Sequence, residues 1–232
     1  GITRAPGVRY RALVPNLRGA EAALDAGADE LEVVLSVSAT HNGRNLKMTV
    51  DESVDQIAAV VERAVGAGVP VEAILATSFG CPYEGRIEPA AVAAVAARLR
   101  DRGVSTFSFA DTTGMATPRR IDDLLDVLSE DERADLGLHL HDTRGLALVN
   151  VYAALERGIA RFDTSVGGLG GSPFAEGAGG NLATEELVAL LDDLGVETGI
   201  DLGALIEAAH LVETLVGRPV PSRIARHGPP RP

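Results

Sequence analysis

Two histidines separated by one residue, His139 and His141, have the side chains best placed for metal chemistry in this sequence. They end the run Leu136-Gly137-Leu138-His139-Leu140-His141, whose apolar composition predicts a buried β-strand. Residues two apart on a strand project to the same face, so two imidazoles would converge at its carboxyl end. A pair of hydrogen-bonded core histidines is the alternative. The position at a strand end, followed by Asp142 as a candidate acceptor for an imidazole N–H, favours metal ligands.

A glycine-rich segment, residues 167–181, follows the next predicted strand and ends at Asn181. Glycine adopts backbone conformations closed to other residues, which predicts a mobile or tightly folded lid. A flexible linker is the alternative. The amide of Asn181 could bind a cation or cap the helix that follows it.

Other candidate side chains also follow predicted strands. Asp111 ends the run 106–111, where a carboxylate could act as a base or orient a hydroxyl, or could simply lie in a surface turn. Tyr83 lies in the loop after the run 71–78. Cys81 in the same loop has no histidine near it in sequence, which favours a packed thiol over a nucleophile.

Lysine chemistry has a single candidate, because Lys47 is the only lysine among the 21 Lys and Arg residues. It lies in the polar stretch 40–47. A Schiff-base aldolase needs a desolvated lysine, whereas metal-assisted carbon–carbon chemistry needs a Lewis acid and a group that moves a proton. The sequence favours the metal route.

The elements that must position these residues follow the repeating pattern of parallel βα units. Six near-continuous apolar runs predict strands buried on both faces, at residues 9–14, 30–37, 71–78, 106–111, 136–141 and 161–166. Amphipathic periodicity predicts helices at residues 17–26, 54–65, 89–99, 120–128, 146–155, 183–194 and 202–215. Thr49 and Thr117-Pro118 are candidate helix starts, and Gly27, Gly66, Gly103, Gly158 and Gly195 are candidate left-handed helix ends.

We therefore predict a (β/α)₈ TIM barrel whose first two βα units are lacking in this chain. Eight units take roughly 250 residues, so six units leave a shortfall of about 60 residues. The predicted domain is residues 1–217, followed by an unstructured tail at 218–232. An open doubly wound sheet is the alternative fold.

Composition excludes several classes of partner. The net charge of −12 and the 3% content of aromatic residues argue against nucleic acid. No apolar stretch approaches the roughly 20 residues that span a bilayer, which argues against a membrane protein. A single cysteine and an N-terminus without a secretion-signal pattern favour the cytoplasm.

The helix 202–215 is compatible with a homodimer, although it could instead cover its own barrel.

The order of these segments resembles the hydroxymethylglutaryl-CoA lyase family, a group of metal-dependent lyase barrels related to isopropylmalate synthase. The likeness covers nearly the whole chain. It rests on residues 14–16, 51–53, 79–85, Gly114, Thr117-Pro118, 139–143 and 180–185.

The resemblance implies that His139, His141 and Asn181 bind a divalent metal, Mg²⁺ or Mn²⁺, and that His139 is also close to the proton transfers. It implies that Asp111 and Tyr83 line the pocket of an acyl-CoA substrate. The implied reaction cleaves a 3-hydroxy-3-methylglutaryl thioester into acetyl-CoA and acetoacetate. A metal-dependent aldolase or acyl-CoA condensing enzyme is the alternative activity.

Two family features differ in this sequence. An Asp-Gly-Leu-Gln segment, whose aspartate is a fourth ligand in the family, does not occur in it. Ser172 stands where the family usually has a cysteine that takes part in proton transfer or loop closure. A serine hydroxyl hardly ionises, so a catalytically impaired homologue or a binding protein is a further alternative.

Overall fold

A computed structural model describes residues 2–171 and 179–229. Six strands alternate with helices along the chain. The strands are β1 (Arg11–Leu13), β2 (Glu30–Ser36), β3 (Val71–Ala76), β4 (Thr106–Ala110), β5 (Leu136–His139) and β6 (Arg161–Asp163). The helices are α1 (Leu17–Asp25), α2 (Ala39–Leu46), α3 (Val50–Val65), α4 (Pro89–Arg100), α5 (Pro118–Leu125), α6 (Glu130–Arg133), α7 (Ala147–Glu156), α8 (Thr184–Asp193), α9 (Leu202–Val216) and α10 (Arg223–His227).

The six strands form one parallel sheet in the order in which they occur along the chain. The sheet is strongly curved. This follows from the ion pairs that Glu72 on β3 forms with both Arg11 on β1 and Arg161 on β6. In a flat sheet β3 and β6 would lie about 14 Å apart, given about 4.8 Å between neighbouring strands. The parallel α/β architecture is thus confirmed, with an interior face and an outer face.

The two faces of the sheet differ in polarity. Leu35, Leu75 and Phe109 point outward and belong to one buried apolar cluster with the helices. Glu72 and Asp163, in contrast, belong to the interior face. The prediction of strands buried on both faces is confirmed for β2 to β5, whereas β1 and β6 are partly exposed. The charged side chains of the interior face form ion pairs with one another.

The predicted helix starts are confirmed, and so are four of the five predicted left-handed helix ends, because Gly27, Gly103, Gly158 and Gly195 have positive φ. Thr49 begins α3 with a capping box to Glu52, and the Thr117 side chain accepts a hydrogen bond from the N–H of Arg120 at the start of α5. The predicted left-handed residue Gly66 has instead a right-handed conformation (φ −61°), and Gly68, two residues later, has a positive φ of 71°.

Three segments have helices where the sequence predicts none, and one of them is the short helix α6. The polar stretch that contains Lys47 includes helix α2, which is anchored by the buried side chains of His41 and Asn42. The predicted unstructured tail contains α10, because Val220 and Ala225 pack against Ala209 of α9. Among the described residues, none of the helices is both long and apolar enough to cross a bilayer.

Candidate functional site

The structure brings the rings of His139 and His141 together at the carboxyl end of β5. Their Nε2 atoms lie 3.3 Å apart. The Nδ1 atom of His141 is 3.3 Å from the carbonyl oxygen of Gly179, which can only accept, so Nδ1 carries the proton in that hydrogen bond. Burial, reinforced by the His139 ring, lowers the pKa of His141 to about 4. His141 is therefore neutral at pH 7, with the Nε2 lone pair available.

The other ring is oriented by Asp163, which sequence reasoning missed. The Nδ1 atom of His139 is 3.7 Å from Oδ2 of Asp163, and the hydroxyl of Ser108 donates to the same oxygen at 2.8 Å. Desolvation raises the pKa of Asp163, but contacts with His139 and Ser108 outweigh it and lower the pKa overall. Asp142, the acceptor expected from the sequence, instead accepts from the N–H of Ala147.

Asn181 is held beside His141 by backbone pairing. The two residues form an antiparallel bridge, flanked by a hydrogen bond from the N–H of Leu182 to the carbonyl of Leu140 at 2.9 Å. The Asn181 Nδ2 donates to the carbonyl of Leu169 at 3.0 Å, whereas its Oδ1 is buried and has no hydrogen-bond partner among residues 2–171 and 179–229. The alternative of a helix cap does not apply, because the residue at the N-cap of α8 is Ala183.

Glycine at position 180 is required by the close approach of two backbone segments. A Cβ atom there would lie 1.9 Å from the carbonyl oxygen of Gly168. This approach lets the N–H of Asp142 reach the carbonyl of Gly180 at 3.0 Å. Ser172, the predicted catalytic residue of the same segment, lies outside the described residues.

Asp111 is not aimed at the imidazole pair. Its Oδ1 accepts from the N–H of Met115 at 2.6 Å, and its Oδ2 is buried with no hydrogen-bond partner in the part of the chain that the structure describes. Burial raises the pKa of Asp111 to about 6, against the opposing effect of backbone hydrogen bonds from Ala116 and Met115. Its chain neighbours Ala110 and Thr112, rather than Asp111 itself, line the cavity beside the imidazoles.

Tyr83 lies next to α2. Its ring is 6.3 Å from the ring of His41, and the guanidinium of Arg44 stacks over it at 4.1 Å. Cys81 is fully buried with its Sγ 3.0 Å from the hydroxyl of Ser38, which confirms that it is packed. The exposed Lys47 donates to the carbonyl of Arg44.

A cavity of about 310 Å³ opens over the interior face at these strand ends. Its lining includes His139, His141 and Asn181, and also His41, which the sequence analysis did not single out. The signal that could have found His41 is its position shortly after the β2 run, where interior-facing groups collect.

The donor atoms in this cavity fit a divalent cation. No cluster of three or more His, Cys, Asp or Glu side chains suited to a metal occurs within residues 2–171 and 179–229. Two imidazole nitrogens and one amide oxygen are nevertheless available, and the unpaired Oδ1 of Asn181 needs a partner such as a cation.

A curved parallel sheet with polar chemistry at the carboxyl ends of its strands defines an α/β protein of the barrel type. The sequence model of the HMGL-like family matches residues 9–212. The zebrafish cytoplasmic 3-hydroxy-3-methylglutaryl-CoA lyase is 41% identical over 227 residues, which are 97% of this chain and 68% of that protein. The chain therefore belongs to the HMGL-like family, which confirms the resemblance seen in the sequence.

Solved structures agree with this assignment. The HMG-CoA lyase of Acinetobacter baumannii, in complex with coenzyme A and 3-methylmalate, superimposes with a TM-score of 0.91 at 42% identity, covering 100% of this chain and 78% of that one. The HMG-CoA lyase of Bacillus subtilis gives a TM-score of 0.93 at 41% identity, covering 97% of this chain and 76% of that one.

Proposed function

We propose that this chain is a carbon–carbon lyase that cleaves a 3-hydroxy-3-methylglutaryl-CoA-like thioester into acetyl-CoA and acetoacetate with the help of Mg²⁺ or Mn²⁺. The observation that carries the proposal is the cavity in which the paired Nε2 atoms of His139 and His141 accompany the unpaired Oδ1 of Asn181. Relatives at about 41% identity that are named for this activity support it.

His139, His141 and Asn181 would hold the cation through Nε2, Nε2 and Oδ1. A divalent cation at such a site supplies Lewis acidity toward the oxygens of the substrate. The Gly179 carbonyl keeps the proton of His141 on Nδ1, and Asp163 does the same for His139, so both Nε2 lone pairs face the cavity.

The proposed reaction moves one proton out of the substrate and one back into it. The tertiary hydroxyl on C3 gives its proton to a water molecule, and the C2–C3 bond breaks with its electron pair left on C2. Acetoacetate leaves with the new ketone, and C2 takes up a proton to give acetyl-CoA. His139 is the closer of the two rings to these proton transfers, because 26% of its side chain is exposed while His141 is buried.

The other predicted site residues, Asp111, Tyr83 and Ser172, would have supporting roles in the proposed reaction. Asp111 fixes the turn that contains Thr112, a residue of the cavity wall. Tyr83 packs beside His41, which lines the cavity. Ser172 would take the place of the family's cysteine in proton transfer or loop closure, although its hydroxyl is a weaker acid than a thiol.

The proposal is tested directly by incubating the protein and Mg²⁺ with 3-hydroxy-3-methylglutaryl-CoA. The acetyl-CoA that is released is measured by chromatography. We expect release that stops on addition of EDTA and returns with Mn²⁺. His141→Ala should abolish release, and the exposed His227→Gln is the matched control that keeps it. Protein that binds Mn²⁺ but releases no acetyl-CoA would refute the lyase proposal.

We also propose that the six βα units of this chain correspond to the last six units of a (β/α)₈ barrel. Leu13 on the edge strand β1 supports this, because it lines the cavity and is 60% exposed. Supplying the first two βα units of the B. subtilis lyase, fused ahead of β1, should bury Leu13 and raise the lyase rate. An unchanged rate and unchanged unfolding would argue against the correspondence.

We also propose that the protein forms a homodimer and is located in the cytoplasm. Leu211 and Leu215 of α9 are exposed and could pack against a second copy. Sedimentation equilibrium of the wild type and of Leu215→Glu tests the dimer. Cys81 as an unpaired buried thiol supports a reducing compartment, and cell fractionation tests it.

A further inference from the structure

His41 is a buried histidine that the proposed chemistry does not use. It lies in the first turn of α2, just beyond the carboxyl end of β2, and only 1% of it is exposed. Its side chain lines the same cavity as His139, His141 and Asn181. A polar side chain in this position needs a physical explanation.

The two ring nitrogens of His41 have different surroundings. Nδ1 is 2.6 Å from the hydroxyl of Ser36, and this hydroxyl has no other hydrogen-bond partner in the part of the chain that the structure describes. A serine hydroxyl can donate or accept, and when the Ser36 hydroxyl donates to Nδ1 the proton of the neutral ring is on Nε2. An acceptor beside Nε2 would select this tautomer. Nε2 is buried and has no hydrogen-bond partner among the described residues.

An unpartnered buried donor is costly, and it is tolerated where it awaits a ligand. Desolvation lowers the pKa of His41, against the opposing charge of Glu84, so the ring is neutral at pH 7. The carboxylate of Glu84 is itself engaged by the N–H of Thr40 at 2.7 Å. It is therefore not the missing partner of Nε2.

The ring of His41 is held rigidly, as a recognition group requires. The N–H of His41 donates to the hydroxyl of Ser38 at 3.1 Å. The side chain of Asn42 accepts from the N–H of Ser36 at 2.9 Å and donates to the hydroxyl of Ser53 at 2.8 Å. These contacts fix α2 against β2 before any ligand binds.

The cavity has polar groups on opposite walls and apolar groups between them. His139 and Asn181 belong to the wall formed by β5 and the segment that pairs with it, whereas His41 and Asn45 belong to the wall at β2, three strands away in the sheet. The apolar side chains between these walls include Val34, Ile74, Ala76 and Ala110. An acyl chain that reacts at the imidazole pair would extend across this apolar floor toward His41.

We propose that His41 is a specificity-determining residue whose Nε2–H donates a hydrogen bond to the carboxylate at the far end of the acyl chain. The inference rests on the proposed function, because it takes the substrate to be an acyl-CoA whose reacting carbons lie at the imidazole pair. A neutral donor to a carboxylate forms a charge-assisted hydrogen bond, which favours acyl chains that end in a carboxylate over those that end in a methyl group.

The test compares direct binding of two acyl-CoA esters that cannot be cleaved at C2–C3, so that it does not depend on lyase activity. Glutaryl-CoA has the terminal carboxylate, and butanoyl-CoA lacks it. Isothermal titration of the full chain with Mg²⁺ should show that glutaryl-CoA binds about 10- to 100-fold more tightly, the effect of one hydrogen bond to a charged group.

Two substitutions separate the hydrogen bond from the packing of the ring. His41→Phe keeps an aromatic ring but removes Nε2–H, and it should bring the preference for glutaryl-CoA close to unity. His41→Gln keeps an N–H near the position of Nε2 and should restore part of the preference. The exposed His227→Gln is the matched control. A His41→Phe protein that keeps the full preference would overturn the inference.

A measurement on the wild type needs no substitution at all. The chain has five histidines, so the Nε2 resonance of His41 can be assigned in a protein labelled with ¹⁵N-histidine. It should shift on addition of glutaryl-CoA and stay in place with butanoyl-CoA, and an unmoved resonance with both ligands bound would refute the contact. Selective binding of glutaryl-CoA by a chain that releases no acetyl-CoA from its substrate would refute the lyase proposal alone.

Discussion

The Nε2 atoms of His139 and His141 face each other at 3.3 Å, while each Nδ1 is turned toward an oxygen that can only accept. The acceptors are the carbonyl of Gly179 and the carboxylate of Asp163. With both Nδ1 atoms protonated, two neutral rings would place two Nε2 lone pairs against each other. A shared cation would remove this repulsion, which supports the proposed metal site.

Asp163→Asn should weaken metal binding without removing a ligand. The amide is a weaker acceptor than the carboxylate, so it holds the His139 ring less firmly and makes Nε2 a poorer donor. Loss of such an outer partner typically costs about 10- to 100-fold in metal affinity. Titration with Mn²⁺ followed by electron paramagnetic resonance checks this. Asp193→Asn, at an exposed site, is the control, and equal Mn²⁺ affinity in both variants would contradict the positioning role of Asp163.

Gly180→Ala should destabilise the protein and displace Asn181. The new Cβ would lie 1.9 Å from a backbone carbonyl, which no side-chain rotation can relieve. We expect the free energy of unfolding to fall by about 3 kcal/mol, in the upper part of the usual range for point mutations. Urea unfolding measures this loss, and Mn²⁺ titration reports on Asn181.

The matched control for that substitution is Gly43→Ala within α2. A Cβ at position 43 meets nothing within 4 Å, and alanine favours a helix over glycine by up to ~1 kcal/mol. We expect Gly43→Ala to leave stability equal or slightly raised. If both variants lost stability alike, the close approach of Gly180 to Gly168 would not be the cause.

The strands were predictable because buried apolar runs are a local signal. The run predicted at 30–37 became β2 at Glu30–Ser36, and that at 106–111 became β4 at Thr106–Ala110. The spacing of His139 and His141 likewise placed their rings on one face, since alternation along a strand is a local rule. The run at 161–166 ends earlier, at Asp163, because the chain turns there into Val166–Gly168.

The supporting residues of the site were not predictable, because their partners are distant in sequence. Asp163 meets Ser108 across 55 positions, and neither residue stands in a recognisable motif. This contact exists only once the sheet has curved. Helix α2 is a different case, because the amide of Asn42 reaches the carbonyls of Met48 and Thr49 and the hydroxyl of Ser53, which are only 6 to 11 positions away. Periodicity of apolar residues does not reveal such contacts between polar groups.

Asp111→Asn should change how stability depends on pH. The pKa of Asp111 is raised from 3.8 to about 6 on folding, so the folded state holds this proton more tightly than the unfolded state does. The resulting stabilisation is complete below about pH 4, is lost as the pH rises to about 6, and is constant above that. Relative to the variant, the wild type should therefore lose roughly 3 kcal/mol between about pH 4 and about pH 7.

Urea unfolding of the wild type and of Asp111→Asn across this pH range measures that difference. Subtracting the two curves cancels every other titrating group, including His141. The exposed Asp192→Asn is the control for the loss of one carboxylate. A difference that stays flat with pH would show that burial does not perturb Asp111.

Ser172→Cys should raise the lyase rate. A hydroxyl hardly ionises near neutral pH, whereas a thiol with a pKa of about 8.5 can give and take a proton there. Positioned acid–base groups contribute about 10²- to 10⁴-fold, so we expect kcat to rise by at least about 10-fold. Steady-state release of acetyl-CoA measures it, and the added rate should rise with pH as the thiol ionises. Ser172→Ala is the matched control: kcat should stay within a few-fold of the wild type, because the serine hydroxyl contributes little as an acid. A large loss in Ser172→Ala, with no gain in Ser172→Cys, would mean that the hydroxyl itself is part of the chemistry.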